Sequence, residues 1–428
     1  MRAWLGPLLF VGLLNAEDIE CLMIKHRIIN RDHYLMKVYA PILGNGLIMS
    51  RGEEWKKQRR IIAPTLHIKV VESYTEVFNK QANILITKLK QLADGRTFDV
   101  YELLSLCALD MVCESSMGIN MDVQKDDSSK LGRTINKLIR MTAKRSLRPW
   151  LSLDSIYYWT AMGKEEKRNT KMLNNIGQMV ISNKMKEFLG SESTSGSEEG
   201  KKKSFPVHYM SSKKEEGFSF SEKELCDAVN NIMFGGQETT SSTMSFTLMF
   251  LALHPQIQEE VYQELKDVFA DDWKRPVEPE DVKRMEYLDR VIKETLRMVP
   301  PVVAYTREIS EEVKLHTCTL PAGCSAVIFS YFNHRDPKYF PDPERFDPDR
   351  FLPERCRERH PYSYIPFGVG PRMCVGFKYA EIAMAVVLAT VLKSYRVLPA
   401  MTQEALLQLE IGIVARPVSG FKIKMLPR

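Results

Sequence analysis

The chain has 428 residues, of which 44% are hydrophobic and 27% charged, with a formal net charge of +6. These values describe an ordinary globular protein with ample core, and a charge this mild gives no support for nucleic-acid binding. Eight scattered cysteines include no CxxC pair and no compact Cys/His cluster that suggests zinc, and they fit a reducing compartment better than a disulfide scaffold.

Met1-Arg2 followed by the apolar residues 3–14 mimics a short signal peptide, but Gly6-Pro7 interrupts any continuous helix. The stretch is also shorter than the about 20 apolar residues that a bilayer span needs. A strand–turn–strand is expected there, followed by a helix over residues 17–26. Trp55-Lys56-Lys57-Gln58-Arg59-Arg60 puts Trp55 and Arg59 at i, i+4 on a basic helix, whose default reading is a solvated face.

Residues 190–219 break the helical pattern with Gly/Ser/Glu-rich and Lys-rich runs and are expected to form a disordered surface loop; an interdomain linker is the other reading. Ser221-Glu222-Lys223-Glu224 then spells a capping box that starts a helix running to about Leu253, just before Pro255. At 1.5 Å per residue that helix is ~48 Å long and crosses the molecule. Inside it lies Phe234-Gly235-Gly236-Gln237-Glu238-Thr239-Thr240, where two glycines each cost about 1 kcal/mol of helix propensity. Residues 239–243 are all hydroxyl-bearing, and they either bond back to carbonyls one turn earlier or mark a locally opened helix. An acid–alcohol pair, Glu238 and Thr239, beside a gap without side chains suits proton delivery.

Glu294 and Arg297 sit at i, i+3 on one helix face, a spacing that Glu165–Arg168 and Glu354–Arg357 share as ordinary surface pairs. Residues 315–330 carry β-branched residues, Gly and Pro, and predict short strands in a minor sheet. Pro343-Glu344-Arg345-Phe346 and Pro348-Asp349-Arg350-Phe351 follow. Last comes Phe367-Gly368-Val369-Gly370-Pro371-Arg372-Met373-Cys374-Val375-Gly376, leading into an apolar helix over residues 377–392. A single buried cysteine is most often structural. Here a Gly-rich turn and the positive end of a helix can offset thiolate charge. Gly370 and Gly376 can let backbone lie against a flat ligand, and Arg372 can pair with an acidic group on it. That set of features is what thiolate ligation of heme iron needs.

The Cys374 segment resembles the heme-binding loop of the cytochrome P-450 superfamily, the heme-thiolate monooxygenases, and the other motifs extend the likeness over almost the whole chain. The resemblance implies one mainly helical domain over residues 1–428 with a minor β-sheet region, in place of the two or three domains that length suggests. It implies noncovalently held heme b with Cys374 as the iron ligand, and Phe367, Gly370, Arg372 and Gly376 shaping the cofactor loop. Trp55, Arg59 and Arg307 are implied as propionate partners, Glu238 and Thr239 as the pair that delivers protons for O–O cleavage, and Glu294, Arg297 and Arg350 as a structural triad. Arg345 competes for the third place in that triad; Arg350 fits the distance from the cysteine loop better. Phe234, Val302, Val303, Ala304 and Ile413 are the implied substrate pocket.

Residues 46–52, His334-Arg335-Asp336-Pro337 and His360-Pro361-Tyr362 resemble the fourth-family branch of fatty-acid omega-hydroxylases. Many of that branch carry a glutamate that esterifies a heme methyl where this chain has Gly235, so noncovalent heme is expected. The implied partners are an NADPH-dependent flavoprotein reductase, docked on a patch of Lys56, Lys57, Arg60 and Lys378, then cytochrome b5, O₂ and an apolar substrate: a fatty acid first, a steroid or xenobiotic behind it. The implied location is the cytosolic face of the endoplasmic reticulum. The usual membrane anchor, proline-rich hinge and first helix are not seen before residue 1, so the chain reads as an N-terminally shortened member. The rival readings are a heme-thiolate isomerase or dehydratase acting on a peroxide, and a shortened chain that binds heme poorly.

Overall fold

The computed structural model describes residues 1–125, 130–146, 148–193, 204–215, 221–270 and 272–428. The N-terminus is a hairpin, Arg2–Leu5 against Leu8–Leu13, with Gly6 at φ 61° in the turn. Leu8–Leu13 runs parallel to Ser325–Ile328, which pairs antiparallel with Tyr305–Glu308, so residues from both ends of the chain build one four-stranded sheet. Asn15 caps the next helix, Ala16–Glu20, which continues as one wider turn over Cys21–Lys25.

The rest is mainly helical. The helix Glu222–Leu253 begins with the capping box: the Glu224 N–H donates to Ser221 Oγ at 3.1 Å, and the Ser221 N–H to Glu224 Oε2 at 2.9 Å. Nearly every residue from Leu225 to Ala252 is buried, because helices on all sides cover it: Tyr101–Ser115, Ala161–Ser193, Glu286–Met298 and Phe377–Ser394. A helix apolar around its whole circumference is stable only in such a place.

Its hydroxyl run does not open the helix. Thr239, Ser241, Thr243, Ser245 and Thr247 each donate to the carbonyl four residues back, at 2.7–2.9 Å, and the segment stays α-helical throughout. The local bulge that the sequence suggested is absent, since back-bonding satisfies the hydroxyls without breaking the backbone ladder.

A second correction concerns residues 190–219. The helix Ala161–Ser193 extends into this stretch, and Phe205–Glu215 forms another helix. Phe205, Val207, Tyr209 and Met210 are buried there, so four apolar residues within a charged stretch suffice to dock it. Residues 194–203 and 216–220 lie outside the described residues.

Two cores result. The larger joins the central helix to its helical neighbours, and the smaller lies under the sheet, with Leu13, Ile19, Leu22, Met23 and Ile328. The loop of residues 367–376 bridges them: Val369 belongs to the smaller core, while Phe367 and Val375 pack on the larger. Among the described residues no helix is long and apolar enough to cross a membrane.

Candidate active site

Cys374 sits at the end of a tight double turn. Its N–H donates to Phe367 O at 2.8 Å, and the Met373 N–H to Gly370 O at 3.0 Å. Gly368 and Gly370 have φ of 71° and 76°, a region that favours glycine. At Gly370 a Cβ would stand 2.7 Å from the Met23 carbonyl oxygen. Its missing side chain admits the turn of residues 21–25. Gly376 differs: a Cβ there meets nothing within 4 Å.

Cys374 keeps accessible surface although protein surrounds its thiol deep inside the molecule. Burial pushes its pKa up, opposed by the Gly376 N–H and by Arg59. Arg59 donates to Met373 O at 2.7 Å, which anchors the helix Gly52–Ile62 to the cysteine loop. Trp55, one turn earlier and buried, receives the Arg372 guanidinium on its ring face at 4.8 Å. On this helix Lys56 pairs with Glu53 at 2.6 Å, and on the next face Lys378 pairs with Glu381 at 2.9 Å, so carboxylates offset part of the expected basic patch.

Three arginines converge behind the loop. Arg307, from the strand Tyr305–Glu308, donates only to the carbonyls of Ile28 and Thr306, at 3.1 and 2.8 Å. Arg372 donates to the carbonyls of Ile48 and Ser50, and its Nε has no partner. Arg31 has an unpartnered Nε as well. Among the described residues no carboxylate pairs with any of the three. Desolvation first, then mutual repulsion, holds Arg372 down to about 8 and Arg307 to about 9. Guanidinium groups do not give up protons in practice, so both charges stay buried beside one another without a carboxylate partner among the described residues. Sequence reading missed Arg31, which lies in a stretch without periodicity.

On the opposite side, a Cβ at Gly235 would meet nothing within 4 Å, whereas one at Gly236 would strike Val112 Cγ2 at 2.9 Å. Thr239 shares the Gly235 face, one turn on, and its hydroxyl donates to Gly235 O at 2.7 Å. Glu238 is fully buried, and its Oε2 accepts from Tyr101 Oη and from Arg416, each at 2.7 Å. The sequence signalled Glu238 through its neighbour Thr239, but carried no signal for Tyr101 or Arg416.

Glu294, Arg297 and Arg350 come together as expected positions: Arg297 grips Glu294 through two bonds of 2.7 and 2.8 Å, and Arg350 Nε lies 3.5 Å from Glu294 Oε1. Arg345 supplies only its carbonyl to Arg297. Val302, Val303 and Ala304 are joined to the segment that carries Ile413, because the Ala415 N–H donates to Pro301 O at 2.8 Å. Phe234 lines a small cleft with Ile42, Leu43, Leu138 and Leu173.

A family model described as Cytochrome P450 matches residues 1–425. The chain belongs to the cytochrome P450 family. It is 37% identical to cytochrome P450 4V2 of Mus musculus and 35% identical to that of Homo sapiens, in both cases over 99% of this chain and 82% of the relative. Cytochrome P450 4c3 of Drosophila melanogaster is 33% identical over 100% of this chain and 82% of its own length. This P450 is therefore a heme-thiolate monooxygenase of the fourth-family branch, using noncovalent heme b and electrons from NADPH delivered by a reductase.

The residues fit that cofactor. Porphyrin propionates would supply the anions that Arg31, Arg307 and Arg372 lack, and the Cys374 thiol in its Gly-rich turn would hold the iron. Gly235 carries no carboxylate to esterify the macrocycle. Bound heme supplies the oxygen-activating redox chemistry.

Proposed function

We propose that this P450 hydroxylates a fatty acid, with Cys374 as the iron ligand and Arg31, Arg307 and Arg372 as the propionate cradle. The arginine cluster without a carboxylate carries this reading: buried like charges cost several kcal/mol each unless an anion joins them. Trp55 and Arg59 complete the cradle from one side, and Phe367, Gly370 and Gly376 shape the loop. Thr239 holds a hydroxyl on the Gly235 face, and Glu238 moves protons toward it. Glu294, Arg297 and Arg350 brace the loop from below. Residues 1–428 act as one domain.

Substrate contacts are assigned to Phe234, Val302, Val303, Ala304 and Ile413. The support for a fatty acid is the apolar character of these positions and the branch-specific phrases at residues 46–52, 334–337 and 360–362. Retention of the Glu238–Thr239 pair favours oxygen insertion over the isomerase or dehydratase alternative.

The segment between the helices Lys130–Ser146 and Ala161–Ser193 exposes Trp150 (63%), Leu153 (53%), Ile156 (47%) and Trp159 (85%). A tip of this composition supports contact with the membrane surface of the endoplasmic reticulum. Cytochrome b5 is a second electron donor in this proposal, docking near Lys57 and Arg60.

The test is incubation with NADPH, reductase, lauric acid and ¹⁸O₂. One labelled oxygen atom in a hydroxylated product is the expected result. Turnover of a fatty-acid hydroperoxide without NADPH, and no label from O₂, would establish the isomerase reading instead.

A further inference from the structure

The proton-delivery carboxylate is not a free acid. Glu238 Oε2 receives two donors, Tyr101 Oη from the helix Tyr101–Ser115 and Arg416 from the strand Ala415–Pro417, and Arg416 also donates to Tyr101 Oη at 2.7 Å. Arg416 stacks over the Tyr101 ring at 4.2 Å, and Ser241 also bonds the Tyr101 hydroxyl, so these groups form a buried cluster. The other oxygen, Oε1, is buried without a hydrogen-bond partner. Such an unpaired polar atom is costly unless the site uses it. The strand that brings Arg416 is itself fixed at two points: Ala415 bonds the Pro301 carbonyl, and Ser242 Oγ donates to Ala415 O at 3.3 Å.

We infer that Arg416 and Tyr101 are positioning residues for proton delivery, holding Glu238 as a carboxylate through Oε2 so that Oε1 is the atom that takes up each proton and passes it on. The inference rests on the reading of Glu238 and Thr239 as the delivery pair. The step balances as a relay: a solvent proton bonds to Oε1, then leaves it for the Thr239 hydroxyl oxygen as that hydroxyl turns from Gly235 O and releases its own proton on the Gly235 face, and the ion pair with Arg416 is restored. Only O–H bonds form and break. Burial and the adjacent carboxylate push Tyr101 well above the usual phenol range, so it stays a neutral donor throughout. Arg416 keeps its charge, raised by Tyr101 and Glu238 against desolvation. Arg416→Met would leave the buried Glu238 carboxylate without this counter-ion, a change that favours the neutral carboxyl.

The experiment uses the heme-loaded enzyme with its reductase, in the variants Arg416→Met, Arg416→Lys, Tyr101→Phe and the double variant Glu238→Gln/Arg416→Met. Infrared spectroscopy at neutral pH reads the carboxylic-acid carbonyl stretch. A new protonated-carboxyl band is expected in Arg416→Met, and none in wild type, Arg416→Lys or the double variant. With lauric acid and NADPH, the share of electrons lost to hydrogen peroxide should rise severalfold in Arg416→Met and Tyr101→Phe, and return near wild type in Arg416→Lys. Both results are required, and absence of either in folded variants overturns the inference. Should Arg416→Met not fold, Tyr101→Phe decides alone, and an unchanged peroxide share overturns it. Wild type without a thiolate-type carbon monoxide spectrum would instead sink the heme-thiolate reading, which the infrared band does not depend on.

Discussion

Two buried arginine clusters flank the heme-binding region and differ in one respect. Around Glu238, one carboxylate and one guanidinium balance each other, with Tyr101 as a neutral third member. Behind the Cys374 loop, Arg31, Arg307 and Arg372 gather with carbonyls and aromatic faces, and among the described residues no carboxylate pairs with them. A balanced cluster needs no added ion. An unbalanced one leaves buried like charges without a counter-ion, a cost that a bound anion would relieve. The Glu294–Arg297–Arg350 group is of the balanced kind, and its carboxylate also accepts the Asp347 N–H at 2.8 Å.

The largest effect should come from removing the iron ligand. Cys374→Ser is expected to abolish both the thiolate-type spectrum of the reduced carbon monoxide complex and NADPH-dependent hydroxylation. A mutant spectrum identical to wild type would remove the ligand assignment.

The comparison itself is tested by two substitutions with opposite signs. Arg416→Met breaks a buried pair and should cost about 3–5 kcal/mol of stability in heme-free and heme-loaded protein alike. Arg372→Met relieves repulsion, so the heme-free protein should melt at a higher temperature. Loss of one charge-assisted bond of about 1.5–3 kcal/mol should nonetheless weaken heme retention roughly ten- to a hundredfold. Lower melting of heme-free Arg372→Met would show that the cluster is balanced after all.

A smaller effect concerns His334, fully buried behind Arg297, whose Nε2 accepts the Ile365 N–H at 2.8 Å. Desolvation first, then Arg297 and Arg335, hold its pKa down to about 3, against the ordinary 6.5. The unfolded chain therefore takes up this proton first as pH falls. Stability from neutral His334 is fully present above about 6.5 and drains away as pH drops toward 3, by about 1.4 kcal/mol per pH unit at most. Denaturant titrations of wild type and His334→Gln from about pH 7 to about pH 4 should show a steeper decline in wild type.

The smallest effect separates two adjacent glycines. Gly235→Ala enters open space and should stabilise the helix by up to about 1 kcal/mol. Gly236→Ala meets Val112 and should destabilise the fold. Thermal melts of both variants in the heme-free state are the check.

Local patterns carried much of this protein in its sequence. The capping box at Ser221, the extent of the central helix and the N-terminal hairpin follow from short-range chemistry that each segment contains within itself. The Cys374 loop was legible for the same reason, since its glycines, arginine, cysteine and helix start lie within ten positions. The helix Phe205–Glu215 was not legible, because its few apolar residues are diluted by charge and declare themselves only when a partner surface buries them.

Only the tertiary structure decided which charges meet. Arg31 lies hundreds of residues from Arg307 and Arg372, and nothing local says that these three meet without a carboxylate partner among the described residues. Tyr101, Glu238 and Arg416 likewise come from three distant elements. Coulomb interactions depend on distance in space, not along the chain. For that reason sequence alone determined the loop that presents the thiol, and folding determined the charge environment in which it and the proton path operate.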